Sequence, residues 1–286
     1  MQHIEFFHRD HFEYCYHRKK AKHSLAQFID FFWETDFDPL WVQHPNGFSD
    51  LLFPDIGYTY LINLGTPFIM QLDKVQHEVR SDSFLPRYKY ITCHHLVGNK
   101  IFGIKFKVSP VIFEKKINFS EYKEYIFPLA YLVDRKVIEK VKNAASFVER
   151  VTIISHYYTH IIEKYSGSLK QVTIVTDILQ NCYTNNAFDI AIEALADNYG
   201  ISSRTLQRYF EATTSINCKQ ALQMMRIRKA ITRYIDSPST FDCTQFGYYD
   251  YSHFYKHIQQ FLKKHPVAGI QSHLQLLCSS ETKINY

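Results

Sequence analysis

Two short segments carry side chains whose chemistry and spacing fit the reading of nucleic-acid bases. The first offers Ser203, Arg204, Gln207 and Arg208. At helical periodicity these fall on one side, while Leu206 and Phe210 fall on the other. Glutamine can pair with adenine through two hydrogen bonds, and arginine with guanine, each pair being worth about 1–3 kcal/mol of discrimination. The second segment offers Tyr251, Ser252, His253 and Lys256, set against Phe254 and Ile258. Lysine suits a guanine edge or a phosphate. A tyrosine ring can pack on a thymine methyl or support a neighbouring turn.

The elements that must position these side chains are legible around them. Gly200 and Gly247 mark two copies of one small architecture. A small residue lies four positions before each glycine (Ala196, Cys243), where two helices must cross closely. Each glycine supplies the positive φ of a tight interhelical turn. Ser202-Ser203 in one copy, and Asp250 with Ser252 in the other, can cap the next helix. Each copy is a helix-turn-helix. The stretch from Asn217 to Ile235 between them lacks Gly and Pro and is closed by Ser237-Pro238, which predicts one continuous helix. A rigid helix between two such units suits recognition helices in adjacent major-groove segments, about 34 Å apart.

These residues resemble the DNA-binding domain of the AraC-type (AraC/XylS) bacterial transcription regulators. The likeness runs from Leu169 to about Pro266. It is carried by Leu206-Gln207-Arg208-Tyr209-Phe210, by Arg226 to Ala230, and by Gly247-Tyr248, Asp250, Ser252-His253-Phe254 and Pro266. The leading helix of the second unit departs from the pattern, with Asp242-Cys243 where Ile-Ala is usual. The resemblance implies base contact at Arg204, Gln207 and Arg208, an internal partner for Arg226, promoter DNA and RNA polymerase as partners, and activation rather than repression.

Composition agrees with this reading without establishing it. The chain has 286 residues, enough for two domains, and 46% are hydrophobic. Formal net charge is +5, and 12 Lys and Arg stand against 9 Asp and Glu between Ser168 and Tyr286. That is a weak basic bias, to which His253, His257, His265 and His273 can add near phosphate. No signal-peptide pattern or membrane-length apolar run is present, so a cytoplasmic protein is expected. Six cysteines (Cys15, Cys93, Cys182, Cys218, Cys243, Cys278) form no CxxC pair. They are read as reduced, mostly buried thiols, and their spacing argues against a zinc finger or an alkyl-accepting repair protein, both of which need a paired-thiol metal site.

Before the helical part the texture is β-rich. Phe28–Trp33 is predicted to begin a buried sheet, followed by strands at Tyr58–Leu64, Phe68–Leu72, Tyr90–Cys93 and Ile101–Phe106. Turns at Asn63–Pro67 and Gly98–Lys100 predict hairpins, and together these strands suggest a small sandwich or barrel. The runs Phe53–Gly57, Leu61–Gly65 and Phe102–Phe106 resemble the cupin-like sensory domain of some AraC-type regulators. Val137, Val141, Ala144, Val148, Val151, Ser155, Tyr158 and Ile162 form a heptad seam. It suits either a partner helix, giving a homodimer, or the protein's own barrel. His44, His77, His94 and His95 do not make a cupin metal site, because adjacent strand residues point to opposite faces. No phosphate loop, nucleophile elbow or HExxH is present.

The expected fold is therefore α+β. Residues 1–165 form a β-rich cupin-like domain with flanking helices that senses or dimerises, 166–168 a linker, and 169–286 an all-α double helix-turn-helix domain. The expected function is sequence-specific transcription regulation. No enzyme activity, cofactor, metal or membrane partner is expected, and the N-terminal domain can take a small-molecule effector. Two alternatives stand. One is a cupin-type enzyme or small-molecule binding protein whose C-terminal helices serve assembly; the other is a regulator controlled by a protein partner with an empty barrel.

Overall fold

A computed structural model of the chain describes residues 14–46, 48–72, 75–109, 117–122 and 125–262. Pro266, Cys278, His265 and His273 lie outside these residues. The chain forms a two-sheet β region followed by helices. The strands among the described residues are β1 (Tyr16–Lys20), β2 (Ile29–Asp36), β3 (Ser49–Leu52), β4 (Tyr58–Asn63), β5 (Phe68–Leu72), β6 (Val75–Val79), β7 (Ser83–Pro86), β8 (Ile91–His94), β9 (Lys100–Phe106) and β10 (Phe127–Pro128). A six-stranded sheet runs in the order β1-β2-β9-β4-β7-β10, and a four-stranded sheet in the order β3-β8-β5-β6.

Strands β2, β4 and β9 are buried along nearly their whole length, polar residues such as Glu34 and Lys105 included, so both of their faces are covered. All six residues of β4 are buried. Gly103 in β9 leaves room for the Trp33 ring, which would lie 2.0 Å from an added Cβ. The predicted start of the sheet at Phe28 was one strand late. β1 precedes it as an edge strand, and its sequence Tyr-His-Arg-Lys-Lys hides it from any search for apolar alternation.

The two predicted hairpins are corners. β4 and β5 belong to different sheets, as do β8 and β9, so each turn carries the chain from one sheet to the other. The corners interlock. Thr66 N donates to Gly98 O at 2.9 Å, and the side-chain amides of Asn63 and Asn99 both donate to Thr66 O. Nearby, His95 stacks on Phe37 at 3.6 Å and bonds Asn99 Oδ1 through Nδ1 at 2.7 Å, so this histidine is part of the core.

The helices are α1 (Asp38–Gln43), α2 (Arg135–Asn143), α3 (Phe147–Lys164), α4 (Lys170–Asn185), α5 (Ile192–Asp197), α6 (Ser203–Thr214), α7 (Cys218–Asp236) and α8 (Tyr251–Leu262). The heptad seam is not one surface. It breaks at Ala144, whose extended backbone ends α2, and Ser146 caps α3. The buried face of α3 is Val151, Ile154, Tyr158 and Ile161, and it packs against β2 and the turn His23–Gln27. Tyr158 meets Phe106 edge-on at 5.4 Å. The buried pair Arg150–Glu34, at 3.1 Å, pins the start of α3 to β2. The seam thus serves the protein's own sheet, while Val148 is left 58% exposed. No helix among the described residues is long and apolar enough to cross a membrane.

Candidate nucleic-acid interface

The first unit is built as its sequence requires. α5 ends near Gly200, which takes φ +60°. Ser202 Oγ accepts from Thr205 N at 3.2 Å and caps α6. Leu206 and Phe210 are fully buried, with Ala196 beneath them. The opposite face of α6 carries Arg204 and Arg208, both exposed, with Ser203 and Gln207 half-buried. These four line one shallow depression together with Thr205 and Glu211. Glu211 lies one turn beyond Gln207 on the same face, a position that helical spacing alone could have pointed to.

α7 opens with a capping box in which Asn217 Oδ1 accepts from Gln220 N at 2.9 Å and Gln220 Oε1 accepts from Asn217 N at 3.2 Å. Its 19 residues give a rod of about 28 Å. Arg226 has the expected internal partners. It lies over the Tyr248 ring at 4.5 Å and donates to Gly247 O.

The second unit repeats the plan with a shorter first helix. Asp242 and Cys243 open a single 3-10 turn, Cys243–Phe246, in place of an α-helix. Gly247 then takes φ +76°, and Asp250 Oδ1 accepts from His253 N at 2.7 Å to cap α8. Phe254 and Ile258 are buried; Tyr251, Ser252, His253 and Lys256 are exposed side by side. Tyr251 donates its hydroxyl to Phe241 O at 2.5 Å and so supports the turn. Tyr255 meets the Tyr234 hydroxyl at 3.2 Å, and this bond, helped by partial burial, pushes the Tyr255 phenol up to about 12. Behind the exposed face, Tyr248 and His257 Nδ1 lie 2.8 Å apart. Burial, with Arg226 and His253 adding to it, pushes His257 down to about 4.

A second cluster was not visible in the sequence. Asp55 is 1% exposed and faces three buried cations: Arg87 and Lys105 from the β region, and Arg228 from α7. Lys105 Nζ lies 3.4 Å from Asp55 Oδ2 and Arg228 Nε lies 3.5 Å from Oδ1. Arg228 also donates to Pro54 O at 2.7 Å. Arg87 donates to Thr59 Oγ1 and Phe53 O. Burial alone would raise the Asp55 carboxyl, but the three cations and the Ile56 amide outweigh it and hold it below the usual carboxylate range. Burial pushes Lys105 down to about 8, against the opposing pull of Asp55.

The β region touches both candidate recognition helices as well. The turn Phe119–Tyr122 packs on α6. Phe53 stacks on Phe261 at 5.7 Å, and Tyr90 donates to Gln260 O at 3.2 Å. A cleft of about 300 Å³ opens beside these contacts, lined by Pro54, Tyr90, Met224, His257 and Phe261 among others.

No protein-family model and no curated protein sequence matches the chain. Solved structures do show likeness. ToxT of Vibrio cholerae O395 is 12% identical with a TM-score of 0.44, over 81% of this chain and 94% of that one. ToxT of strain SCE256, solved with an unsaturated fatty acid bound, is 12% identical with a TM-score of 0.45, over 82% and 92%. The chain is similar, too, to CuxR, an AraC-like transcriptional activator, at 13% identity and a TM-score of 0.28 over 79% and 90%.

Proposed function

We propose that this chain is a sequence-specific DNA-binding transcription regulator, with α6 and α8 as its recognition helices. The observation that carries the reading is the pairing of two capped helices, joined by one uninterrupted helix, each exposing hydrogen-bonding side chains on the face opposite its buried apolar pair. On α6, Arg204, Gln207 and Arg208 read base edges, with Ser203 placing the helix N-terminus near a phosphate. On α8, Lys256 and His253 engage the backbone or a guanine edge, Ser252 donates to phosphate, and Tyr251 holds the turn. The helices from Leu169 onward form the DNA-binding domain and residues 1–165 the sensory one, joined at 166–168. The protein activates transcription by presenting promoter DNA to RNA polymerase, and an effector acts through the contacts between the β region and α7.

Binding of the purified protein to labelled promoter fragments, including its own upstream region, tests this. Wild type is compared with Arg208→Ala and Lys256→Ala across a salt series. The reading requires selective binding, its loss in Arg208→Ala, and a smaller salt slope for Lys256→Ala. Weak binding to every fragment, unchanged by either substitution, would overturn it.

A further inference from the structure

The reading face of α6 contains an acid that binding to a polyanion does not explain. Glu211 is exposed on that face and lines the same depression as Arg204, Gln207 and Arg208. It opens the last turn of α6 (Ser203–Thr214), where a carboxylate opposes the negative end of the helix dipole, so helix stability does not account for it. A carboxylate also repels phosphates, so general affinity for nucleic acid does not account for it either. We propose that Glu211 is a specificity-determining residue whose carboxylate accepts from the N4 amino group of a cytosine in the half-site bound by α6. The proposal rests on α6 being a recognition helix and deepens that reading by one base pair.

Two observations support it, and the chemistry of the base edges narrows it. Glu211 forms no ion pair with another described residue, although Arg208 lies three positions back, a spacing that suits one. The Arg208 guanidinium lies over the Tyr209 ring instead, 6.0 Å from its centre, so the carboxylate keeps its accepting capacity for a partner outside the chain. Secondly, Glu211 follows Arg204 by seven residues, close to two full turns, and its direction falls between those of Gln207 and Arg208. The four side chains thus form one stripe about 10 Å long, the length of about three base-pair steps of roughly 3.4 Å. Along the major groove only cytosine N4 and adenine N6 donate, and adenine sets its N7 acceptor beside N6. A carboxylate, which only accepts, is repelled by that N7 and suits cytosine. The Gln207 amide both donates and accepts, and so suits adenine.

The test selects binding sites for the full chain from a duplex library with randomised positions. Binding to the selected site is then measured with each base pair exchanged in turn, at one salt concentration. Wild type, Glu211→Gln, Glu211→Ala and Arg208→Ala are compared, with melting temperatures as the control for folding. In wild type, exchanging one cytosine should weaken binding about tenfold. Glu211→Gln should move the preference at that position to adenine, because an amide pairs with N6 and N7. Glu211→Ala should level it, and both variants should keep the preferences elsewhere. Glu211→Ala should also tighten binding to unselected DNA, since one negative charge leaves the face. Unchanged preferences in both Glu211 variants, with selective binding still lost in Arg208→Ala, would overturn the role of Glu211 and leave the reading of α6 standing. A loss confined to a guanine position would make Glu211 a support for Arg208 and overturn base reading by the acid. Absence of any selected site for wild type would overturn the proposal together with the reading of α6.

Discussion

Arg228 of α7 and Asp55 of the β region form an ion pair across the boundary between sheet and helices, with 3.5 Å between Nε and Oδ1 and almost no solvent exposure on either side. The pair is unbalanced. Asp55 faces three cations, whereas Arg228 also has Pro54 O. Removing the carboxylate therefore leaves more uncompensated charge than removing the arginine. Asp55→Asn should destabilise the protein by about 3–5 kcal/mol, with Arg228→Met costing less. Urea unfolding of both variants and the double variant checks the order, and the double should fall short of the sum.

His257 makes the second unit sensitive to acid. Its folded value of about 4 lies below the unfolded 6.5, so between these limits the unfolded chain binds the extra proton. Stability is therefore full above pH 6.5 and declines as the pH falls toward 4. A melting series from pH 7.5 to 4.5 should show this decline, and His257→Gln should flatten it. An equal slope in wild type and variant would place the acid sensitivity elsewhere.

The two turn glycines differ in what surrounds them. An added Cβ at Gly200 meets nothing within 4 Å, whereas at Gly247 it comes within 3.2 Å of the Asp189 side chain. Both hold positive φ, so each alanine costs about 1–2 kcal/mol from the backbone alone. Gly247→Ala should lower the melting temperature further than Gly200→Ala, the excess measuring the displacement of Asp189.

Tyr251 offers a way to separate support from reading. Its hydroxyl is committed to Phe241 O, so Tyr251→Phe should cost about 1 kcal/mol of stability while operator selectivity is retained. A change in the preferred sequence without a change in stability would instead make the hydroxyl a base contact.

The helix-turn-helix units were legible because their determinants are local. Within each unit the determinants lie inside a dozen residues: Gly200, the cap at Ser202 and the buried pair Leu206/Phe210 in the first, and Gly247, the cap at Asp250 and the pair Phe254/Ile258 in the second. The strands were legible as runs, but the sheet each joined was not, which is why the turns at Asn63 and Gly98 read as hairpins. A heptad period at Val141, Val151 and Tyr158 identifies a buried face and says nothing about what buries it. The Asp55 cluster draws on positions 55, 87, 105 and 228, and no spacing rule connects charges brought together solely by the tertiary fold.

β1 gives the sheet a further property. Among the described residues it forms one outer edge of the six-stranded sheet, with Arg18, Lys19 and Lys20 along it, and Arg18 folds over Phe31 at 3.9 Å. The other edge, β10, is two residues long and ends in Pro128, which has no amide to donate. An open row of backbone donors and acceptors invites further strands and aggregation; here one rim is cationic and the other too short to serve as a template. The charges that conceal β1 from the eye thus also make its rim a poor template for the addition of further strands.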